Sequence, residues 1–222
     1  MNTLVDGLAQ LGFTESEIGR CKPLLEKYIS ELELFNSAYD LVGADTHEDI
    51  IIRHILDSLS PYKNLSLLVD SIQKHRQSPC ISFADIGSGG GLPGIPLAIC
   101  FPEHNFTLLE RMSKRCAFLE NCSAVLGLQN VQVDNTEAER ASPGQFDIAV
   151  FRAFRPLDKK MSKTIIRLVK SGGYLAAYKG KLDKIKEEMD AVKDILPEWR
   201  YEPLQVPFLE DTQRNLVVIP KV

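Results

Sequence analysis

The stretch ADIGSGGGLPGIPLAI (84–99) holds five glycines and two prolines in sixteen residues, and few folds can use a backbone that bare. Apolar ISFADI (81–86) reads as a short buried strand. IPLAICF (95–101) reads as the start of a helix, with Pro96 in the first turn, where a missing N–H is harmless. The glycines therefore occupy a strand-to-helix turn. Glycine there permits positive φ and lets a ligand approach the main chain, while the helix N-terminus offers free N–H groups. This is how a nucleotide-type cofactor site is built. A glycine-rich surface loop is the alternative, and the apolar flanks on both sides argue against it.

The register of the glycines bears on which cofactor. Gly89, Gly91 and Gly94 spell GxGxxG, and the acid Glu110 follows about 20 residues on, as in dinucleotide-binding folds. Counted from Gly87, the first glycine after the strand, the third fingerprint position falls instead on Leu92, beside Pro93. Asp85, still within the strand, completes D-x-G-x-G-x-G, which resembles the first motif of the Rossmann-like methyltransferases that use S-adenosylmethionine. In that group the acid near the strand end takes part in holding the methionine part, and the glycines pass under the ligand. Glu110, closing the apolar run NFTLLE, is suited to accept both ribose hydroxyls through its two oxygens. The plainer reading of Glu110 is a solvated acid at a strand end.

Composition limits the rest. A chain of 222 residues, 44% hydrophobic, can bury one full core and a small accessory lobe. No apolar run approaches the ~20 residues of a membrane span, and no charged-then-apolar leader opens the sequence, so a soluble, cytoplasmic protein is expected. Cys21, Cys80, Cys100, Cys116 and Cys122 contain no C-x-x-C pair, which suggests reduced thiols and neither a disulfide framework nor a metal site. Net charge is −4, yet Arg152 to Lys186 carries eleven Lys or Arg against Asp158 and Asp183. Such an asymmetry points to an anionic partner on one face. The competing explanation is that RPLDKKMSKTIIRLVK is simply an amphipathic helix with a solvated charged side.

Residues 1–70 read as helices: in LLEKYISELELF the apolar Leu24, Leu25, Tyr28, Ile29, Leu32 and Phe35 recur near helical spacing, and EDIIIRHILDSLSPY repeats the pattern until Pro61. The polar stretch 71–79 reads as a connection. From Ile81 the candidate strands are ISFADI, NFTLLE, VQV, FDIAVF, GGYLAAY, WRYEPLQV and NLVVIP, with helices expected between the first five, as a parallel sheet with crossovers requires. The last two lie too close for a helix between them, so one is expected to run antiparallel. The expectation is an α/β protein: a Rossmann-like S-adenosylmethionine-dependent methyltransferase sheet with an antiparallel edge hairpin (71–222), and an N-terminal helical segment (1–70) packed on it.

Taken in order, FNSAYDLVG (35–43), IIRHILDSL (51–59), the glycine turn, KRCAFLE, FRAFRPL, YKGK and LQVPFLEDTQRNLVVI resemble the RsmG (GidB) family over most of the chain. That family methylates N7 of one guanine in bacterial small-subunit (16S) ribosomal RNA. Asp40-Leu41-Val42 departs from the family's usual Asn-Leu-Thr, and Glu110 stands where Asp is usual. The resemblance implies S-adenosylmethionine as cofactor, with Gly87 and Leu92 on its methionine and ribose side, Thr136 and Glu137 at the adenine, and Arg152 at the mouth shared with substrate. The cofactor set expected is thus Asp85, Gly87, Gly89, Gly91, Leu92, Glu110, Thr136 and Glu137. Glu137 could instead open a helix, and Arg152 could be a structural ion pair. Candidate RNA contacts are Lys114, Arg115, Arg155, Lys159, Lys160, Lys163 and Lys179. His54 and Asp57 belong to the resemblance but read as structural, and no general base is expected because guanine N7 carries an exposed lone pair. The implied partner is 16S rRNA or an assembling small ribosomal subunit, met by a monomer. A nicotinamide-dependent oxidoreductase, a small-molecule methyltransferase and a non-enzymatic ribosome-associated module are the competing classes.

Overall fold

The computed structural model describes residues 2–153 and 156–222. Its strands are β1 Ser82–Ile86, β2 Asn105–Leu109, β3 Val131–Asp134, β4 Phe146–Arg152, β5 Val169–Lys179, β6 Arg200–Leu204 and β7 Arg214–Pro220, in the order β3-β2-β1-β4-β5-β7-β6. The first five pair in parallel, while β7 is antiparallel to both β5 and β6. The apolar runs thus become strands where expected, and the closing hairpin forms the antiparallel edge. Central β4 is buried almost end to end because helices cover both of its faces.

Helices α1 Thr3–Gln10, α2 Glu15–Tyr39, α3 His47–Ile50, α4 Asp57–Leu59 and α5 Tyr62–Arg76 precede the sheet, with a π-helical turn at Ile51–Leu56 joining α3 to α4. Crossovers are made by α6 Gly94–Cys100, α7 Ser113–Leu126 and α8 Lys159–Leu168, and α9 Leu182–Val192 leads to the hairpin. A capping box starts α2: the Thr14 hydroxyl accepts from Glu17 N–H, and the Glu17 carboxylate accepts from Thr14 N–H at 2.7 Å. The Thr14 N–H and hydroxyl, both donating to the Glu17 carboxylate, hold its pKa below the usual value. Leu25, Tyr28, Ile29 and Leu32 of α2 are buried in the same core as Phe83 of β1 and Phe106 of β2, whose rings stack at 4.6 Å. The amino-terminal helices therefore cover one sheet face, and α8 and α9 cover the other.

Two expectations are corrected. The polar stretch 71–79 is mostly helix: α5 runs to Arg76 because Leu65, Leu68, Val69 and Ile72 continue a single buried stripe, and Lys74, His75 and Arg76 suit the negative end of the helix dipole. Arg76 then pairs with Asp147 of β4, fastening α5 to the sheet. Between β3 and β4 there is no helix, only turns over residues 135–145. The helix-forming residues EAERA are too few to repay nucleation before Ser142-Pro143-Gly144 turns the chain.

Candidate active site

The glycine turn stands at the carboxyl ends of the parallel strands, where open α/β sheets bind ligands. Most of its main-chain N–H groups are already engaged. Gly87 and Ser88 N–H donate to the Leu109 carbonyl, Gly91 and Leu92 N–H to the Ser88 carbonyl, and Gly89 N–H to a Glu110 oxygen at 2.9 Å. At the start of α6, Gly94 N–H donates to Asp85 Oδ2 at 2.9 Å. A dinucleotide pyrophosphate needs free N–H groups at that turn and an empty helix terminus. Here the chain's own carboxyl fills the terminus, so the geometry disfavours a phosphate and suits a ligand that passes over the turn by contact.

Asp85 is fully buried, and burial is the main cause that lifts its pKa to about 7. Its Oδ1 has no hydrogen-bond partner. The structure places this acid beneath the turn, fixing it, and away from the cavity walls. A Cβ at Gly94 would lie 2.4 Å from Leu108 Cδ2 and 2.7 Å from Asp85 Oδ2, so only glycine lets α6 sit this close to the sheet. Gly91 is likewise pressed against Ile95 and Leu119. Gly89 differs: φ is +58°, and a Cβ there would meet nothing nearer than the Gly87 carbonyl at 4.0 Å. Of the expected glycines, Gly87 and Gly89 line a cavity, while Gly91 serves packing.

Glu110 follows β2 and is buried; its Oε2 accepts from Gly89 N–H and its Oε1 from Met112 N–H at 2.8 Å. Each oxygen keeps a lone pair for a further donor. The acid therefore ties the turn to the end of β2 and can still accept two hydroxyls. It lines a cavity of about 460 Å³ together with Gly87, Arg115, Thr136, Glu137 and Ala153. That volume falls in the usual range for small-molecule sites. Thr136 and Glu137 are part of this wall, and no helix begins at Glu137. A second cavity of about 290 Å³ adjoins it across Gly87, Arg115 and Ala153, and is walled by Leu41, Gly89, Leu92, His54 and Arg152. The residues fit an adenosyl amino acid: hydroxyl acceptors in the first cavity, an open glycine surface in the second, and no phosphate cradle.

Arg152, at the end of β4, is both an ion pair and a wall. Its Nη1 donates to Asp57 Oδ2 at 2.7 Å and to the Arg53 carbonyl at 3.1 Å, while Asp57 Oδ1 accepts from Arg214 Nε at 2.9 Å. The Arg152 Nη2 lies 3.4 Å from His54 Nδ1, and His54 Nε2 lies 3.4 Å from the Gly43 carbonyl. These partners assign the tautomer: Nδ1 accepts and Nε2–H donates. Burial, then the Arg152 guanidinium, hold the His54 pKa below its ordinary value, so the ring is neutral at pH 7. A third cavity of about 530 Å³, lined by Arg53, His54, Arg152, Lys179 and Arg214, opens beyond it.

The RNA candidates separate into groups. Lys114, Lys160 and Lys163 are exposed, and Lys159 is exposed beside Asp194 at 3.0 Å. Lys179 is largely buried against Glu188 at 2.7 Å, so it leaves the exposed set and lines the third cavity. Arg115 turns inward to the cofactor-side cavities. Arg155 lies outside the described residues. Arg167 and Lys170 of the basic run are also engaged, with the Ala138 and Glu139 carbonyls and with Asp147.

Sequence reasoning did not find Ala153, which borders all three cavities with φ +51°. Nothing marks an alanine for a left-handed conformation, which is uncommon outside functional or strained sites. Tyr28 was read as core only; its hydroxyl donates to the Gly90 carbonyl at 2.5 Å and pins the turn from α2. Asn36 holds the 40–43 loop, accepting from Leu41 and Val42 N–H and donating to the Val42 carbonyl, all at 2.9 Å.

Sheet order, glycine turn and the buried acid that follows β2 together fit an S-adenosylmethionine-dependent methyltransferase of the Rossmann-like class. Solved structures share the fold: tRNA (m1A58) methyltransferase TrmI from Aquifex aeolicus superposes with a TM-score of 0.53 at 10% identity, covering 73% of this chain and 70% of that one. The precorrin-6y C5,15-methyltransferase from Geobacter metallireducens gives 0.50 at 15% identity, covering 71% and 88%. The model of the GidB family, rRNA small subunit methyltransferase G, matches residues 21–217, and the chain belongs to that family. Relatives named ribosomal RNA small subunit methyltransferase G include those of Treponema denticola, 37% identical over 98% of this chain and 93% of its own length, and Neisseria meningitidis serogroup B, 34% identical over 97% and 95%.

Proposed function

We propose that the protein transfers a methyl group from S-adenosylmethionine to guanine N7 of small-subunit ribosomal RNA. Family membership supports the substrate, and one observation supports the cofactor over a dinucleotide: Asp85 caps the helix terminus where a pyrophosphate would sit. When bound, S-adenosylmethionine supplies an electrophilic sulfonium methyl. Glu110 would accept the ribose hydroxyls, Thr136 and Glu137 would border the adenine, and Gly87, Gly89 and Leu92 would form the floor beneath the methionine arm.

Guanine N7 attacks with a lone pair and gives up no proton, so no side chain need act as base. The neutral His54 and the charge-paired Arg152 instead shape the passage between the second and third cavities, where the base would arrive. Holding the two reactants in line can supply up to ~7–11 kcal/mol of the barrier. A base enters such a pocket only when unstacked, which favours an exposed loop nucleotide in an assembling subunit. Lys159, Lys160 and Lys163 of α8, which begins at the same end of the sheet, would hold phosphates. The proposed enzyme works as a monomer in the cytoplasm, where its rRNA substrate is made; among the described residues no helix is long and apolar enough to cross a membrane.

Calorimetry with S-adenosylmethionine and with NADH tests the cofactor, followed by transfer of labelled methyl to rRNA from cells lacking this protein. Saturable S-adenosylmethionine binding, no NADH binding, and loss of the former in Gly89→Val are expected. Preferential NADH binding would overturn the reading.

A further inference from the structure

We infer that Arg115 is the cofactor's carboxylate anchor, an inference that rests on S-adenosylmethionine being the ligand. The methionine arm of that molecule ends in one carboxylate, its only anionic group, and such a group must be met by a cation or by free N–H donors. In the glycine turn the N–H groups of Gly87, Ser88, Gly89, Gly91, Leu92 and Gly94 bond within the chain, which leaves that of Gly90, a neutral donor that does not balance a charge by itself. Among the described residues three basic side chains wall the second cavity: His54, Arg115 and Arg152. His54 is neutral at pH 7 and its two ring nitrogens face Arg152 and the Gly43 carbonyl. Arg152 shares the Asp57 carboxylate with Arg214, and its head is committed to that carboxylate, to the Arg53 carbonyl and to His54.

Arg115 is different. It rises from the first turn of α7, and among the described residues its guanidinium makes one hydrogen bond, from Nη2 to the Asp40 carbonyl at 3.2 Å. Its Nε is buried with no partner. Two further observations place this side chain for a ligand. It borders both of the first two cavities, as Gly87 and Ala153 do, so the residue stands where they adjoin. It also sits near a helix N-terminus, where a cation opposes the dipole and an anion would relieve it. A guanidinium has five donors in a planar fork suited to two carboxylate oxygens. The Asp40 carbonyl aims one arm of that fork, which gives the 40–43 loop a role in positioning the cation.

The test compares S-adenosylmethionine with decarboxylated S-adenosylmethionine by calorimetry. The unaltered protein should bind the decarboxylated form about 10–100-fold more weakly, the loss typical of a charge-assisted hydrogen bond. In Arg115→Gln the affinity for S-adenosylmethionine should fall by a similar factor while that for the decarboxylated form stays put, so the preference disappears. A preference retained in Arg115→Gln overturns the assignment. Loss of both ligands in that variant would reflect misfolding, and a second measurement on the unaltered protein then decides: S-adenosylmethionine should protect Arg115 from phenylglyoxal, and the decarboxylated form should not. Equal protection by both overturns the inference. Failure of the unaltered protein to bind either ligand would instead remove the cofactor reading on which it rests.

Discussion

Replacing Asp85 by Asn should change how stability depends on pH, and the size of the change follows from burial. The folded-state pKa of about 7 lies above the ordinary 3.8. Raising an acid's pKa on folding penalises the native state, because the unfolded chain ionises more easily. The penalty is absent below the unfolded pKa, grows between about pH 4 and 7, and is complete above the folded pKa. At ~1.36 kcal/mol per pKa unit the full penalty is about 4 kcal/mol, of which roughly 2 to 3 kcal/mol develops between pH 5 and 8. Asparagine keeps an oxygen for Gly94 N–H and has no charge to bury. Its amide N–H group would meet no acceptor at the position of Oδ1, but that cost is the same at every pH. Urea unfolding of both proteins at pH 5 and pH 8 therefore compares slopes, not absolute stabilities. The variant should gain roughly 2 to 3 kcal/mol relative to the parent over that interval. Parallel pH profiles would mean that Asp85 is solvated, and its placement as a dry support beneath the turn would be wrong.

Two further outcomes follow. Asp57→Asn leaves Arg152 and Arg214 without their shared counter-charge and should cost about 3–5 kcal/mol in urea unfolding, as for a broken buried pair; a loss under 1 kcal/mol would show that the triad is effectively solvated. Lys159→Glu, Lys160→Glu and Lys163→Glu together should weaken rRNA binding and lower the slope of log affinity against log salt by about 2 to 3, with cofactor affinity unchanged; an unaltered slope would show that α8 merely faces solvent.

Much of the fold was legible because its signals are local. Apolar runs such as FDIAVF become strands through their own burial, and the glycine turn is readable because strand, turn and helix are consecutive in the chain. Glu110 was legible for the same reason, standing one position past the end of β2. The stretch 71–79 misled because its polarity hid Ile72, which extends the buried stripe of α5. What sequence could not show are the long-range pairings. Asp57 meets Arg152 across 95 positions and Arg214 across 157, so the basic run that begins at Arg152 overstated the charge available to RNA. The inward turn of Arg115 is equally invisible, because Lys114 beside it points to solvent and both are simply cations in sequence.

The central claim concerns one atom of one base. Small subunits from cells lacking this protein should be incubated with methyl-labelled S-adenosylmethionine and the protein, and their 16S rRNA then cleaved by borohydride and aniline, which break the chain at N7-methylguanosine. The account predicts one labelled methyl per rRNA, located at a single cleavage site. Label incorporated without cleavage would put the methyl on another atom and contradict it, because an amine or hydroxyl acceptor must lose a proton and the site as described holds no group assigned to take it.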